Sequence, residues 1–303
     1  MQPVISERPE QVLLSNPRSD RVKAVARLSG RSARLRAGRF AVEGPQAVRE
    51  AVTHTIDGRR ESGSARSLPG AVRELYATED AAQRYPEILE SAAAAGIFAR
   101  PVTDEVLTAM LAEGGTLSPQ GLLAVCDLIT VDLASVLQTR PTLVAVLSQV
   151  RDPGNAGTVI RAADAAGADA VLLTDASVDV HNPKAVRATA GSLFHLPVVA
   201  GVPLAEALAG LRTAGLRVLA ADGAGAIDLD DLSDQAETDP SALLAGPVAW
   251  VFGNEAWGLP AADAELADAV VRVPVHGRAE SLNLATAATV CLYATARAHR
   301  RPR

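Results

Sequence analysis

The pattern of apolar and polar positions changes along the chain and divides it into parts. Residues 1–17 are polar and contain three prolines, which predicts a flexible lead-in. Residues 18–132 alternate short apolar runs with amphipathic stretches, which predicts a small α/β domain. We place a linker at residues 133–140 and a second domain at residues 141–303.

The second domain has the more regular pattern, because short and almost fully apolar runs recur along it. Such runs are typical of buried parallel strands, and they lie at residues 143–150, 170–173, 216–221, 248–252 and 269–273. Helical patterns lie between them, and a long apolar helix is expected at residues 281–298. The fold class is therefore α/β, with a mostly parallel sheet, helices on both faces and ligands at the carboxyl ends of the strands.

Three loops that follow predicted strands are rich in glycine and small polar residues. They are residues 151–157, 252–259 and 274–283. Glycine allows a backbone to approach a flat ligand closely. In the first loop, Asn155 is expected in the loop and Arg161 in the first turns of the helix after it, so that both face one pocket. Each loop alone is weak support, since the first has neither the lysine of a phosphate loop nor the third glycine of a dinucleotide site.

Charge becomes informative only when it is placed along the chain. The 29 Lys and Arg against 35 Asp and Glu give −6, which over the whole chain argues against nucleic acid. Residues 222–239, however, hold seven acids and no base, which indicates an acidic surface segment. Residues 18–39 hold eight bases against Asp20. These bases form either a solvated helix face or an RNA-binding surface, and they are Arg18, Arg21, Lys23, Arg27, Arg31, Arg34, Arg36 and Arg39.

Other residue types narrow the function classes. Aromatic residues make up 3% of the chain, so an RNA partner would be recognised through arginine and shape more than through base stacking on Phe or Tyr. Trp250 is expected in the core, and Trp257 is expected to serve packing, with a cofactor or a dimer partner as the alternative contact. Cys126 and Cys291 are far apart, and no metal-binding spacing is present. No apolar run suits a signal peptide or a membrane helix, so we expect a soluble cytoplasmic protein without a metal.

Taken together, the three loops carry a more specific pattern than any one of them. N-x-G-x-x-x-R at residues 155–161, F-G-N-E-x-x-G-L at residues 252–259 and E-S-L-N at residues 280–283 resemble the three motifs of the SpoU/TrmH family of RNA 2′-O-ribose methyltransferases. Ala256 stands where a glycine is common. Residues 39–45 and 118–125 resemble, more weakly, the substrate-binding domain that many family members carry.

The resemblance implies a fold, a cofactor and a set of site residues. It implies a trefoil-knotted SPOUT-type domain working as a homodimer, with S-adenosylmethionine held by the knot loops and an RNA-binding N-terminal domain. The cofactor-binding residues on this pattern are Phe252, Gly253, Asn254, Gly258, Val273, Pro274, Ser281 and Leu282. The catalytic residues on this pattern are Arg161, Asn155, Glu255, Ser281 and Asn283.

The implied reaction moves a methyl group to a ribose 2′-hydroxyl. The family pattern gives Arg161 a part in deprotonating this hydroxyl, but a guanidinium stays protonated and is a poor base, so orientation of the hydroxyl or a phosphate is its more secure role. Ribosomal RNA is favoured over transfer RNA as substrate. Two further hypotheses are a non-catalytic RNA-binding or ribosome-assembly factor and a nucleotide-dependent oxidoreductase, and the missing G-x-G-x-x-G disfavours the second.

Overall fold

A computed structural model describes residues 12–62, 68–111 and 120–300 of the chain. The chain divides into two compact units, Met1–Leu128 and Ile129–Arg303, which we call the N-terminal and the C-terminal unit. The expected lead-in falls partly outside the described residues. Within the described part of it, the Leu14 backbone N–H donates to the Pro101 carbonyl oxygen at 2.9 Å, so the chain is tied to the N-terminal unit already at this point.

The N-terminal unit contains one mixed four-stranded sheet with helices, in the order β1-β4-β2-β3. Strand β4 is antiparallel to β1 and β2, and β3 is parallel to β2. The strands are β1 (Arg39–Glu43), β2 (Val72–Ala77), β3 (Ala99–Pro101) and β4 (Leu122–Asp127). The helices are α1 (Asp20–Ala26), α2 (Arg31–Ala37), α3 (Pro45–Ser62), α4 (Glu79–Arg84), α5 (Pro86–Ala94) and α6 (Asp104–Leu111).

The C-terminal unit is built on a seven-stranded sheet in which every pair of neighbouring strands is parallel. The strand order is β7-β6-β5-β10-β8-β11-β9. The strands are β5 (Leu143–Leu147), β6 (Ala170–Thr174), β7 (Val198–Val202), β8 (Arg217–Ala221), β9 (Ile227–Asp228), β10 (Val248–Phe252) and β11 (Ala269–Arg272). The helices are α7 (Leu133–Gln138), α8 (Pro153–Ala166), α9 (Pro183–Thr189), α10 (Leu204–Thr213), α11 (Leu229–Thr238), α12 (Ala261–Ala264) and α13 (Leu284–His299).

Alternate residues of the buried strands face helices on opposite sides of this sheet. Ala249 and Val251 of β10 belong to a cluster that includes Leu208 of α10. Trp250 lies between them on the other face, where its indole N–H donates to the Thr295 hydroxyl of α13 at 2.9 Å. Both faces are therefore covered, which confirms the α/β fold class and explains why the central strands β5 and β10 are apolar throughout. In the described part of the chain, no helix is both long and apolar enough to cross a membrane.

The bounds of α7 and α8 differ from the sequence-based expectation. Residues 133–138 of the predicted linker form α7, because the Asp132 side chain accepts a hydrogen bond from the Ser135 backbone and caps the helix, and Val136 is buried. Helix α8 begins at Pro153, where residue 158 was expected, so Asn155 lies in the helix and not in the loop. Asp152 accepts from the Asn155 N–H at 2.8 Å and Pro153 takes the first helical position, which starts the helix early.

Candidate functional site

A cleft of about 810 Å³ lies at the carboxyl end of three neighbouring strands, β10, β8 and β11. This is the edge at which open parallel sheets bind ligands. The last strand residues and the loops after them form most of the wall, and the segment before α13 completes it. All of the sequence-predicted cofactor residues line this cleft, namely Phe252, Gly253, Asn254, Gly258, Val273, Pro274, Ser281 and Leu282.

The loop after β10 is fixed by reciprocal backbone hydrogen bonds. The Asn254 N–H donates to the Gly258 carbonyl at 2.9 Å, and the Gly258 N–H donates to the Asn254 carbonyl at 2.9 Å. The buried Asn254 side chain adds two bonds, donating to the Gln149 carbonyl at 2.7 Å and accepting from the Ala256 N–H at 2.8 Å. Asn254 therefore shapes the cleft wall through its amide.

Glycine is required at the start of this loop because two backbone segments meet there. A Cβ on Gly253 would lie 2.4 Å from the Gly258 carbonyl carbon and 2.6 Å from the Leu259 nitrogen. Gly258 itself has a φ of +69°, which favours glycine. Both glycines of the motif thus serve the closed shape of the loop.

Glu255 connects this loop with the segment that enters α8. Its Oε1 accepts from the Asp152 N–H at 3.1 Å and from the Asn155 Nδ2 at 3.2 Å. Its Oε2 accepts from the Arg151 N–H at 3.2 Å. Hydrogen bonds to a carboxylate are stronger than those between neutral groups, so this side chain holds two of the three motifs together.

Asn283 brings the third motif into the same network. Its Nδ2 donates to the Asn155 Oδ1 at 3.1 Å, while its Oδ1 accepts from the Ala285 and Thr286 N–H groups and caps α13. Helix α13 was expected to begin at Ser281, but it begins after Asn283, and Ser281 is an exposed residue of the cleft wall. The chain of contacts Glu255, Asn155, Asn283 joins all three motifs.

Arg161 lies apart from this network. It is exposed on α8, six residues after Asn155. Because both residues are on one helix, they are separated by about 9 Å along its axis and point in different directions around it. Arg161 is not among the residues that line the cleft. The structure thus brings together Asn155, Glu255 and Asn283 at the edge of the cleft and leaves Arg161 on the neighbouring helix surface.

Lys184 stabilises the start of α8. Its Nζ lies 2.7 Å from the Asp152 Oδ2. This contact and the hydrogen bond from the Asn155 N–H lower the pKa of Asp152 below its usual value. Asp152 is therefore a charged cap at the helix N-terminus, where negative charge is favourable.

Two acidic residues of the cleft wall were missed by the sequence reasoning. Asp222 follows β8 directly, and its Oδ1 accepts from the Ala224 N–H at 2.8 Å. Asp228 also lines the cleft and pairs with the Arg272 Nε at 3.1 Å. Asp222 could have been predicted from its position just after a central strand, because the same position identified the other loops of the site. Among the described residues, no group of three or more His, Cys, Asp or Glu is placed to hold a metal ion.

The N-terminal basic segment, residues 18–39, presents most of its charge to solvent. Arg18, Arg21, Lys23, Arg27, Arg31 and Arg36 are exposed, and Arg39 is half-buried. Arg21 and Arg39 both contact Glu74, at 2.7 and 3.3 Å.

One predicted RNA-binding residue needs correction. Arg34 is 2% exposed, and its guanidinium donates to the Leu28 carbonyl at 2.8 Å and the Ser29 carbonyl at 2.6 Å. These bonds satisfy carbonyl groups at the turn between α1 and α2, so Arg34 supports the local fold and is not available to a phosphate.

Known proteins resemble this chain along most of its length. RlmP of Bacillus subtilis, a 23S rRNA (guanosine(2553)-2′-O)-methyltransferase, is 31% identical over 280 residues, which is 92% of this chain and 97% of that protein. A 23S rRNA (uridine(2479)-2′-O)-methyltransferase of Streptomyces viridochromogenes is 33% identical and covers 90% of this chain and 87% of its own length.

Solved structures agree with these relatives. The S-adenosylmethionine-bound rRNA methyltransferase of Sinorhizobium meliloti superposes with a TM-score of 0.75 at 27% identity, covering 94% of this chain and 97% of that one. AviRb of Streptomyces viridochromogenes with S-adenosylmethionine gives a TM-score of 0.72 at 28% identity, covering 92% of this chain and 98% of that one.

Fold and site together define an α/β methyltransferase domain that follows a smaller mixed-sheet domain. The model of the SpoU rRNA Methylase family matches residues 142–293, which contain all three motifs. The chain belongs to this family.

Proposed function

We propose that the protein transfers a methyl group from S-adenosylmethionine to a ribose 2′-hydroxyl of structured RNA, and that ribosomal RNA is its substrate. The observation that supports this most is the contact chain Glu255, Asn155, Asn283, which joins the three family motifs beside the cleft. The two curated relatives named above are both 23S rRNA 2′-O-methyltransferases, which favours ribosomal over transfer RNA.

The residues of the cleft fit S-adenosylmethionine. The cofactor has a flat adenine ring, and a Cβ on Gly223 of the cleft wall would meet no atom within 4 Å, so this wall has room for a ligand at that point. The cofactor also carries a positive sulfonium and an ammonium group, and Asp222 supplies a carboxylate on the wall. The backbone around Gly253 and Gly258 and the segment from Val273 to Leu282 would hold it.

When bound, S-adenosylmethionine would supply a methyl group from a positively charged sulfur, which would be left as a neutral thioether as the S–CH3 bond breaks and the O–CH3 bond forms, while the hydroxyl proton passes to solvent. The chain's own part is positioning and charge stabilisation. We assign Arg161, on the family pattern, to orienting the hydroxyl or an adjacent phosphate, since a guanidinium carries hydrogen-bond donors and no acceptor. Asn155 and Asn283 fix the neighbouring surface, Glu255 positions them, and Ser281 offers an exposed hydroxyl beside the ribose.

The N-terminal basic segment is proposed to bind RNA phosphates. Changing Arg27, Arg31 and Arg36 together to Glu should raise the Kd for RNA roughly tenfold and reduce the slope of log Kd against log salt by about 2 to 3, because three phosphate contacts and their released counterions are lost. Filter binding to an unmodified 23S rRNA transcript at several salt concentrations measures both quantities.

The matched control changes the same three residues to Lys, which keeps the charge and should keep most of the affinity. Calorimetric titration of S-adenosylmethionine should give the wild-type Kd for both triple variants, since the cofactor cleft lies in the other unit. If the Glu variant binds RNA with the affinity and salt slope of the wild type, RNA is bound by another surface.

We also propose that the protein works as a homodimer in the cytoplasm. The family resemblance supports the dimer. So do two exposed apolar residues one turn apart on α13, Val290 and Tyr293, which are 39% and 48% exposed. Light scattering on the purified protein measures the assembly directly.

The proposed activity is tested with purified protein, labelled S-adenosylmethionine and unmodified transcripts of 23S rRNA and of transfer RNA. We expect label in the 23S transcript, in a nucleotide that resists alkaline cleavage on its 3′ side. Label only in transfer RNA would show that transfer RNA, and not ribosomal RNA, is the substrate. Cofactor and RNA binding without label would indicate the non-catalytic assembly factor, and binding of a nicotinamide dinucleotide in place of S-adenosylmethionine would indicate the oxidoreductase.

A further inference from the structure

Trp257 is an exposed aromatic residue at the rim of the cofactor cleft. It lies in the loop after β10, two residues beyond Glu255, and half of it, 50%, is accessible to solvent. The chain's other tryptophan, Trp250, is fully buried. In a chain with only 3% aromatic residues, this indole is half open to solvent beside the site network, where a ligand could reach it.

Arg151 fixes the indole in place from one side. Its guanidinium carbon lies 5.0 Å from the centroid of the Trp257 ring, which is a cation–π contact. The Arg151 backbone N–H donates to Glu255, so the pair is anchored to the same carboxylate that holds Asn155. The position of the indole is therefore fixed relative to the network at the cleft edge.

Trp257 is among the most exposed residues of the cleft wall. Phe252, Gly253 and Asn254 of the same loop are buried and form the deeper wall, whereas Trp257 and Leu282 are exposed on the rim. A group that stacks on Trp257 therefore approaches from solvent, as an RNA substrate does.

We propose that Trp257 and Arg151 form a stacking platform for an unpaired base of the RNA substrate, at the target nucleotide or next to it. This inference rests on the proposed function. Every base has a flat π face that stacks on an indole, and an arginine on the opposite face adds both polarisation and attraction to the RNA backbone. The platform requires a base that is already out of its stack, so it selects loops and bulges over paired helix.

The platform adds a stacking contact on Trp to the expectation that RNA is recognised more through arginine and shape than through stacking on Phe or Tyr. Arginines of the N-terminal basic segment would bind phosphates without regard to sequence. A single stacking position near the reacting ribose is enough to place one nucleotide, because base stacking on an aromatic side chain contributes substantially to affinity.

The test compares Trp257→Ala with the conservative Trp257→Phe and the charge-retaining Arg151→Lys, using the full-length protein and the unmodified 23S rRNA transcript. We expect Trp257→Ala to lower kcat/KM for RNA roughly tenfold. Trp257→Phe should keep most of the wild-type value and Arg151→Lys should fall between the two. The Kd for S-adenosylmethionine should stay within about twofold in all three.

Arg217→Ala is the matched control, since this exposed residue begins β8 at the opposite end of the sheet and donates to the Ser241 carbonyl. It should leave kcat/KM unchanged. Circular dichroism of each variant shows whether it is folded. Quenching of the exposed indole fluorescence by the transcript gives a second readout, because Trp250 is buried and supplies a constant background.

Each outcome separates this inference from the proposed function. If wild-type protein methylates the transcript and Trp257→Ala does so equally well, the platform does not exist. If Trp257→Ala weakens S-adenosylmethionine binding as much as it lowers kcat/KM, the indole holds the cofactor and the inference is overturned. If the wild-type protein methylates no RNA, it is the proposed function that fails.

Discussion

Arg161→Ala should lower the kcat of methyl transfer at least about 100-fold while the Kd for S-adenosylmethionine changes by less than about twofold. Loss of one preorganised donor at a developing oxyanion costs about 100- to 1,000-fold in kcat. Arg161 is exposed on α8 and does not line the cleft, so cofactor binding does not depend on it. Single-turnover methylation of the 23S rRNA transcript with saturating cofactor measures the effect.

Two companion variants make this result specific. Arg161→Lys keeps a charge but not the planar fork of donors, so it should recover only part of the rate. Arg217→Ala removes an exposed arginine at the far end of the sheet and should retain the wild-type rate. If the Arg161→Ala protein methylates at the wild-type rate, Arg161 takes no part in the reaction.

The site network could be anticipated from the sequence because its members occupy fixed places relative to strands. The segments that hold Asn155, Glu255 and Asn283 all follow parallel strands, and the rule that such loops meet at one edge of the sheet grouped the loops. The resemblance to the family motifs then selected these three residues within them. The early start of α8 could also have been found, since Asp152 followed by Pro153 is a helix cap followed by a first-turn proline.

The sequence could not show which way a charged side chain points. Arg34 counted as one of eight equivalent bases, yet it is buried against the turn between α1 and α2, while Arg31 and Arg36 of the same helix are exposed. Arg34 differs from the other bases because it donates to the carbonyl groups of Leu28 and Ser29, and the sequence does not show that these groups lie within its reach. Charge density predicted a basic surface but not its exact members.

The acidic segment at residues 222–239 shows the same limit in a different form. Its charge predicted only an exposed surface. In the structure, Asp222 and Asp228 lie on the cleft wall. Most of the remaining residues of the segment form α11, in which Leu229 and Leu232 are buried. A net charge of −6 therefore combines acids beside the cleft with bases in the other unit.

The role of a motif glycine also depends on the atoms around it, as Gly157 of the first motif shows. A Cβ on Gly157 would lie 2.3 Å from the Ala185 carbonyl oxygen and 2.6 Å from the Ala188 Cβ. The glycine of the first motif thus allows α8 and α9 to pack closely and is not placed to contact a ligand. Motif spacing alone did not distinguish this role from a role at the ligand.

Gly253→Ala should weaken S-adenosylmethionine binding by about 10- to 100-fold and lower the free energy of unfolding by about 1–3 kcal/mol, as overpacking commonly does. The added methyl would lie 2.4–2.6 Å from backbone atoms of Gly258 and Leu259, which cannot turn aside as a side chain can. The loop must open, and this strains the reciprocal Asn254–Gly258 hydrogen bonds that shape the cleft wall.

Calorimetric titration of the cofactor and thermal unfolding measure the two effects on the Gly253→Ala protein. Gly246→Ala is the matched control, because a Cβ there meets no atom within 4 Å and the residue precedes the opposite end of β10 in an extended conformation with a φ of −101°. That control should bind cofactor as the wild type does, since it adds the same methyl without moving the loop. Unchanged cofactor affinity in Gly253→Ala would mean that the loop after β10 does not hold the cofactor. Weak binding in that variant alone would tie the affinity to the closed loop.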